Sequence, residues 1–458
     1  MAFDLKQLIR EHQGRELDLL RETMNPRFAK VLSTIGFDPV YVRGQGAHLW
    51  DKDGNDYLDM LSGYGVFNVG RNHPKVKDAI RQYLEVDSPN LIKMGTQLLA
   101  GVLAERLLKI APRGLDTVFF CNSGAEAIEG AMKFARAYTG RTRMIFCQHG
   151  FHGLSMGALS VNGLDEFRHG FGPLMPWTRI PFGDAKALEA ELKRGDVAAF
   201  VVEPIQGHGV FIAPDGYLQE AKALCQKHGA VLIADEVQTG FGRTGKMFAS
   251  EHWGLEPDIM TISKALSGGY CPTGAILFRR PIYEKVFSSL DRCIVHSSTF
   301  SQNDLAAVCG LATLAVLEEE RIVEHAAETG QYLLEQLQGL VGRYELLKEV
   351  RGKGLVIAIE FGPPRSMSLR AGWTMIHKLN QDLFCQAILV PLMMDHKILA
   401  QVAAHGMDVI KLIPPLVLTR ADCDRFLASF EAVLEAAHKF PGPLWEVGSR
   451  IAKNAVLS

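Results

Sequence analysis

The sequence predicts an α/β protein: a large domain built on a mostly parallel sheet, plus a smaller α+β domain. Three observations carry this expectation. Between about residues 70 and 320, short apolar runs recur, each ending in polar or glycine residues and followed by a helical pattern. Thr117–Cys121, Met144–Cys147, Ala198–Val202, Ala230–Ala234 and Ile259–Ile262 are apolar on both faces, as strands are when helices cover a parallel sheet on both sides. After about residue 320 the texture changes to long helical patterns and a few separated apolar runs.

The elements follow in order. Residues 1–35 read as amphipathic helix, with Leu5, Leu8 and Ile9 set against Lys6, Arg10 and Glu11, and suit either an arm on a partner subunit or a surface helix. Tyr41–Leu61 reads as short strands around a turn at Asp51-Lys52-Asp53-Gly54-Asn55. Glu318–Leu340 is a long helical pattern. Val350–Phe361, Ala387–Pro391 and Val409–Leu418 are expected to form a small sheet, and Asp422–His438 a closing helix. The domains are therefore placed at 1–69 (arm and part of the small domain), 70–320 (large domain) and 321–458 (C-terminal small domain).

Composition excludes several classes. Apolar residues make up 47% and charged residues 22%, which is ordinary for a globular chain and rules out disorder as the main state. The net charge of −2 argues against a nucleic-acid or anionic-membrane coat. No apolar run approaches the ~18–20 residues that span a bilayer. Met1–Arg10 has no apolar signal core. The eight cysteines form no CxxC pair, so buried thiols in a reducing cytosol are expected and a zinc site is not. A cytoplasmic location follows as an expectation, with neither nucleic acid nor membrane insertion among the partners.

Three groups carry chemistry, and all lie at strand ends, where open α/β sheets bind ligands. Asn122-Ser123-Gly124-Ala125 places a small residue and a glycine at a helix start. It is either a phosphate seat or an ordinary N-cap at Ser123. Asp235 ends the apolar run Val231–Ala234, and a carboxylate there needs a cationic partner, whether a protonated pyridine nitrogen or an arginine. Lys264 stands at the next strand end, about one βαβ connection on. It suits imine formation if desolvated, or an ordinary ion pair. Together, in this order on one sheet, they match the phosphate, ring nitrogen and aldehyde of pyridoxal 5′-phosphate.

Here the resemblance becomes specific. Ile233-Ala234-Asp235-Glu236-Val237-Gln238-Thr239-Gly240-Phe241-Gly242-Arg243-Thr244-Gly245, followed by Asp258–Gly269 with Ser263-Lys264-Ala265, resembles the signature of the class III aminotransferases, the ornithine- and 4-aminobutyrate-type pyridoxal phosphate enzymes of fold type I. The likeness covers roughly residues 30–435. It includes Glu203-Pro204-Ile205-Gln206-Gly207, Arg351–Leu355 and Pro414-Pro415-Leu416. It implies that Lys264 bonds the cofactor aldehyde and shuttles the proton, and that Asp235 pairs with the ring nitrogen. Val237 and Phe151, in Phe151-His152-Gly153, would cover the two ring faces, with His152 among the cofactor residues. Gln238 would bond the ring's 3-oxygen. Glu203 would help position Gln238, and Ser123, Gly124 and Ala125 would hold the phosphate. Thr299 resembles the threonine that reaches the phosphate from a neighbouring subunit, which implies a homodimer with composite sites. Taken singly, Phe151 also reads as core, Thr299 as a loop cap and Gln238 as surface.

The chain departs from the family where substrate is handled. Family members acting on amino acids carry an arginine before Pro-Pro-Leu; here it is Lys411, a point charge in place of a planar fork. The glutamate that follows Gln-Gly in ornithine-type members is absent from Gln206-Gly207-His208-Gly209, and the arginine after the aromatic–x–Gly segment is Leu154. Either Lys411 still holds a carboxylate, or the substrate has changed. The apolar stretch 391–406, with Met393 and Met394, favours the second reading: a bulky or long apolar carbonyl compound, with Leu154, Met94 and Tyr64 adding to the wall. Tyr64 aligns with a substrate-facing tyrosine. The leading expectation is a transaminase moving an amino group between an amine or amino acid and a keto acid or aldehyde. The runner-up is an aminomutase, racemase or decarboxylase on the same scaffold. A catalytically silent scaffold protein is the third reading.

Overall fold

Caps and turns set the N-terminal segment. In the computed structural model, which describes residues 3–380, 383–439, 441–442 and 445, Asp4 and Asn25 accept the N–H groups of Gln7 and Phe28. They thereby start the helices Leu5–His12 and Pro26–Ile35. The strands β1 (Tyr41–Gln45), β2 (His48–Asp51) and β3 (Asp56–Asp59) form the expected antiparallel meander. Asp51 closes its turn by accepting the N–H groups of Asp53 and Asn55.

The central sheet has seven strands: β4 (Thr117–Cys121), β5 (Arg143–Cys147), β6 (Thr178–Ile180), β7 (Val197–Val202), β8 (Val231–Asp235), β9 (Ile259–Ile262) and β10 (Gly274–Phe278). Their order is β4-β10-β9-β8-β7-β5-β6. All neighbours run parallel except β10, which is antiparallel to both β4 and β9. A short link from β9 to β10 carries no crossover helix, so the strand returns in the opposite sense. Every expected strand is present in this sheet; β6 and β10 are additional. Alternate side chains go to opposite faces. Met144, Phe146, Val201 and Ile233 pack with Ile128, Phe134 and Ala135 of the helix Gly124–Thr139. Ile145, Cys147, Phe200, Val202, Leu232 and Ala234 pack with Leu218, Ala221 and Cys225 of the helix Tyr217–Lys227.

The C-terminal part differs from expectation in three places. The single helix over Glu318–Leu340 is two helices, Asp304–Glu319 and Ile322–Gln338, broken at Arg321 with φ +51°. The run Ala387–Pro391, read as a strand, lies inside the helix Leu383–Met394. That helix is apolar and buried nearly all round, so period alone did not separate helix from strand. β11 (Leu347–Lys353) and β12 (Val356–Phe361) form a hairpin. β13 (Ile398–Leu399) pairs parallel with β3, so one sheet joins the N-terminal meander to the C-terminal part of the chain. β14 (Gln401–Val402) and β12 flank β15 (Val409–Leu412), which stops short of the expected Leu418. The closing helix Arg420–Ala437 starts at a capping box between Thr419 and Asp422. Among the described residues no helix is long and apolar enough to cross a membrane.

Candidate active site

The carboxyl ends of β4, β5, β7, β8 and β9 converge on one cleft of about 770 Å³. Tyr64, Gly124, Ala125, Phe151, His152, Glu203, Asp235, Val237, Gln238, Lys264 and Lys411 all line it. Ser123 and Thr299 do not. Ser123 caps the helix Gly124–Thr139 by accepting the N–H of Glu126 at 3.1 Å. The N–H groups of Gly124 and Ala125, at the positive end of that helix, have no acceptor among the described residues. The cap and a free anion seat therefore coexist. A Cβ on Gly124 would stand 2.9 Å from Val237 Cγ1, so only glycine lets the seat and Val237 lie side by side.

Asp235 is buried and held by three contacts while still lining the cleft. It accepts from Val237 N at 3.0 Å and Thr261 Oγ1 at 3.3 Å, and His152 Nδ1 lies 2.7 Å from its Oδ2. Burial disfavours charge on His152, but the hydrogen bond and charge of Asp235, with Glu203 beyond, outweigh it and raise the imidazole pKa. His152 Nε2 is buried without a partner. The sequence placed His152 beside the cofactor; the structure shows it as the partner of Asp235.

Glu203 accepts the N–H groups of Phe151 at 3.0 Å and Gly207 at 2.9 Å. Burial raises its pKa, and His152 opposes this. Its hydrogen bonds thus run to the backbone on either side of the cleft, whereas Gln238 binds elsewhere: Nε2 donates to Tyr64 O and Oε1 accepts from Lys411 Nζ, each at 3.4 Å. Phe151 stacks obliquely on His208 at 4.8 Å and meets Phe167 edge-on at 5.4 Å. Tyr64 (φ +64°) stands exposed at the rim.

Lys264 opens a short 3₁₀ turn after β9 with φ +40°, a conformation costing about 1–3 kcal/mol for a non-glycine residue and typical of functional positions. Burial lowers its pKa; Asp235 and Glu203 hold the fall in check. Lys411, 2% exposed on β15, donates to Gly207 O at 2.8 Å. Burial and the nearby Lys264 bring it down to about 7.

Sequence reasoning missed part of the wall. Phe28, Glu166, Phe167 and Gln386 line the cleft from distant segments, and no local pattern marks them; of the apolar stretch 391–406, Gln401–His405 does line it. His208, quoted only as a departure, is held neutral: burial, then Lys411 and Lys264, lower it to about 3. The expected methionine wall is not there. Met393 is buried against Leu49 and Tyr57, Met394 lies by Gly36, and Met94 is exposed outside the cleft. The helix Leu383–Met394 carries the pair away from the cleft; Leu154 does line it.

An amine, a paired acid and free N–H groups at a helix start share this cleft, and they fit pyridoxal phosphate. The fold and this donor set define a fold type I pyridoxal phosphate enzyme. Residues 34–434 match the family described as aminotransferase class-III, and the chain belongs to that family, whose members depend on pyridoxal phosphate. The chain is 38% identical to putrescine aminotransferase of Pectobacterium atrosepticum, over 92% of this chain and 88% of that protein. It is 35% identical to aminotransferase PigE of Serratia sp. over 94% of this chain, and spans 55% of PigE's length. Among solved structures, an ornithine aminotransferase of Toxoplasma gondii superposes with TM-score 0.82 at 29% identity, covering 96% of this chain and all of that one. An (S)-enantioselective omega-transaminase of Thermomicrobium roseum gives 0.79 at 30%, with the same coverage.

Proposed function

We propose that the chain is a transaminase moving an amino group between an amine or amino acid donor and a carbonyl acceptor, one of which is bulky or long and apolar. The observation that carries the apolar part is the outer cleft. Phe28, Tyr64, Leu154, Phe167, Val402, Ala403 and Ala404 wall it, and among the described residues no arginine lines it. Relatives named for putrescine and for omega-transamination support a donor without a neighbouring carboxylate. The relatives do not favour the aminomutase, racemase or decarboxylase reading.

Bound pyridoxal phosphate supplies a carbonyl carbon for the amine and a ring that takes up the electron pair freed at Cα. In this reading Gly124 and Ala125 would hold the phosphate, and Asp235, held in place by His152 Nδ1 at 2.7 Å, would face the ring nitrogen. Phe151 and Val237 cover the ring faces, and Gln238 meets the 3-oxygen. Lys264, whose burial lowers its pKa, would bind the cofactor's carbonyl carbon and serve as the base that moves the substrate's Cα proton.

The working unit in this proposal is a cytoplasmic homodimer with composite sites. Thr299 is exposed and outside its own cleft, and beside it Ser298 Oγ accepts from Asn122 Nδ2 at 2.7 Å, close to the phosphate seat. Leu290, Ile294 and Phe300, in the same stretch of chain, are exposed as well. Cys121, Cys147, Cys225 and Cys423 are buried thiols, which suits a reducing compartment. The test is the visible absorbance of the holoenzyme as amines are added singly, from glutamate and ornithine to diamines and long-chain alkyl amines. Conversion by apolar amines supports the reading. Conversion by ornithine and glutamate alone overturns its substrate part, and a cofactor band that no amine converts overturns transamination.

A further inference from the structure

Lys411 occupies the place where a substrate-binding arginine is expected, yet its bonds run inward. Its Nζ donates to Gly207 O at 2.8 Å and to Gln238 Oε1 at 3.4 Å, leaving one of three N–H donors uncommitted by these bonds. β15 is hydrogen-bonded on both sides, to β12 and β14, so the lysine's backbone is fixed. We infer that Lys411 is a positioning residue that clamps Gln238 and the Gly207 peptide, and that it does not anchor the substrate carboxylate.

Two further contacts complete the clamp. Glu203 holds the N–H of Gly207 while Lys411 holds its carbonyl, so this residue is pinned from both sides and seats His208 against Phe151. Gln238 is oriented in the same way, its Oε1 toward Lys411 and its Nε2 toward Tyr64 O. Gly207 makes the arrangement possible, because a Cβ there would stand 2.7 Å from Gln238 Oε1. A lysine reaches both acceptors as a point donor. An arginine's planar fork is instead shaped to take both oxygens of a carboxylate. The fall of Lys411 toward neutrality agrees with an inward role, since a partly uncharged amine holds a carboxylate weakly.

This inference rests on the pyridoxal phosphate site proposed above, with Gln238 at the 3-oxygen. The experiment uses the holoenzyme in two assays. The first is the pH titration of its visible absorbance without substrate. The second is kcat and KM for glutamate, which carries a carboxylate, and for a linear alkyl amine, which does not. Lys411→Met is expected to move the spectral midpoint, as Gln238→Ala should, with the double variant adding nothing beyond either. Turnover is expected to fall by about 10-fold for both donors alike, the scale of a lost buried hydrogen bond. Lys411→Gln, which keeps a donor toward Gly207 O, should retain more of the wild-type midpoint and guards against misfolding of the methionine variant. An unmoved midpoint in both variants overturns the inference. So does a rise in KM for glutamate alone. The substrate-free titration reads the clamp even where no tested donor is turned over, so its failure is separate from failure of the transaminase reading.

Discussion

Gly124→Ala tests the closest approach in the site. The added Cβ would stand 2.9 Å from Val237 Cγ1 and 3.2 Å from Cγ2. Carbon atoms are comfortable at about 3.5–4.0 Å, so Val237 or the helix start must shift by several tenths of an ångström. The backbone of Val237 is held, because its N–H is bonded to Asp235 Oδ1 at 3.0 Å, so relief must come from its side chain. Overpacking of this kind costs about 1–3 kcal/mol. With no ring against it, Val237 can swing toward the cleft, so the cost falls on the cofactor-bound state. The dissociation constant for pyridoxal phosphate should rise about 5- to 150-fold. Stability of the apoprotein should hardly fall: Gly124 is not in the left-handed region, and alanine favours a helix over glycine by up to about 1 kcal/mol. The assay is a visible-absorbance titration of apoprotein with pyridoxal phosphate, repeated in Gly124→Ala/Val237→Ala. Removing the two methyls that the new Cβ meets should recover much of the lost affinity. Unchanged affinity in the single variant, or a double variant whose losses simply add, would refute the steric argument.

Further outcomes are expected. Asp235→Asn removes the carboxylate that His152 Nδ1 contacts, and kcat should fall about 10²- to 10³-fold with cofactor still bound; a loss under tenfold would remove Asp235 from the chemistry. If Thr299 serves the partner's site, mixing Lys264→Ala and Thr299→Ala subunits should restore activity above either parent, because one site of each mixed dimer is then native. No restoration on subunit exchange would place Thr299 outside the partner's site. His48 bridges Asp56 at 2.8 Å and Asp422 at 3.1 Å. Its pKa lies above the ordinary 6.5, chiefly through the Asp422 hydrogen bond, so its contribution to stability is complete below 6.5 and fades as pH rises through the raised value. Asp422 is depressed from 3.8 to about 2, against burial and through His48 and Thr419, so its contribution holds above 3.8 and is lost as pH falls toward 2. The melting temperature of His48→Phe should therefore fall less than wild type on going from mildly acidic to alkaline pH, and parallel melting curves would refute this.

The sequence by itself determined five of the central sheet's seven strands and most of the residues that meet at the cleft, because these are written locally. Runs such as Val231–Ala234 are apolar at every position and bounded by polar residues, so strand and buried environment follow from composition and length. Asp235 and Lys264 stand at the ends of those runs, and a parallel sheet brings its carboxyl ends to one edge whatever lies between. Only the tertiary structure decided the rest. The run Ala387–Pro391 is as apolar as a strand, but burial on all sides left it inside a helix. β10 became the antiparallel member through the shortness of its connection, and β13 joined β3 across most of the chain length. The cleft wall gathers Phe28, Phe167 and Gln386 from segments that share no pattern. Lys411 shows the same division. Its position along β15 is legible from Pro414-Pro415-Leu416, but the direction of its ammonium depends on Gly207 and Gln238, and those contacts exist only once the small sheet has packed on the large domain.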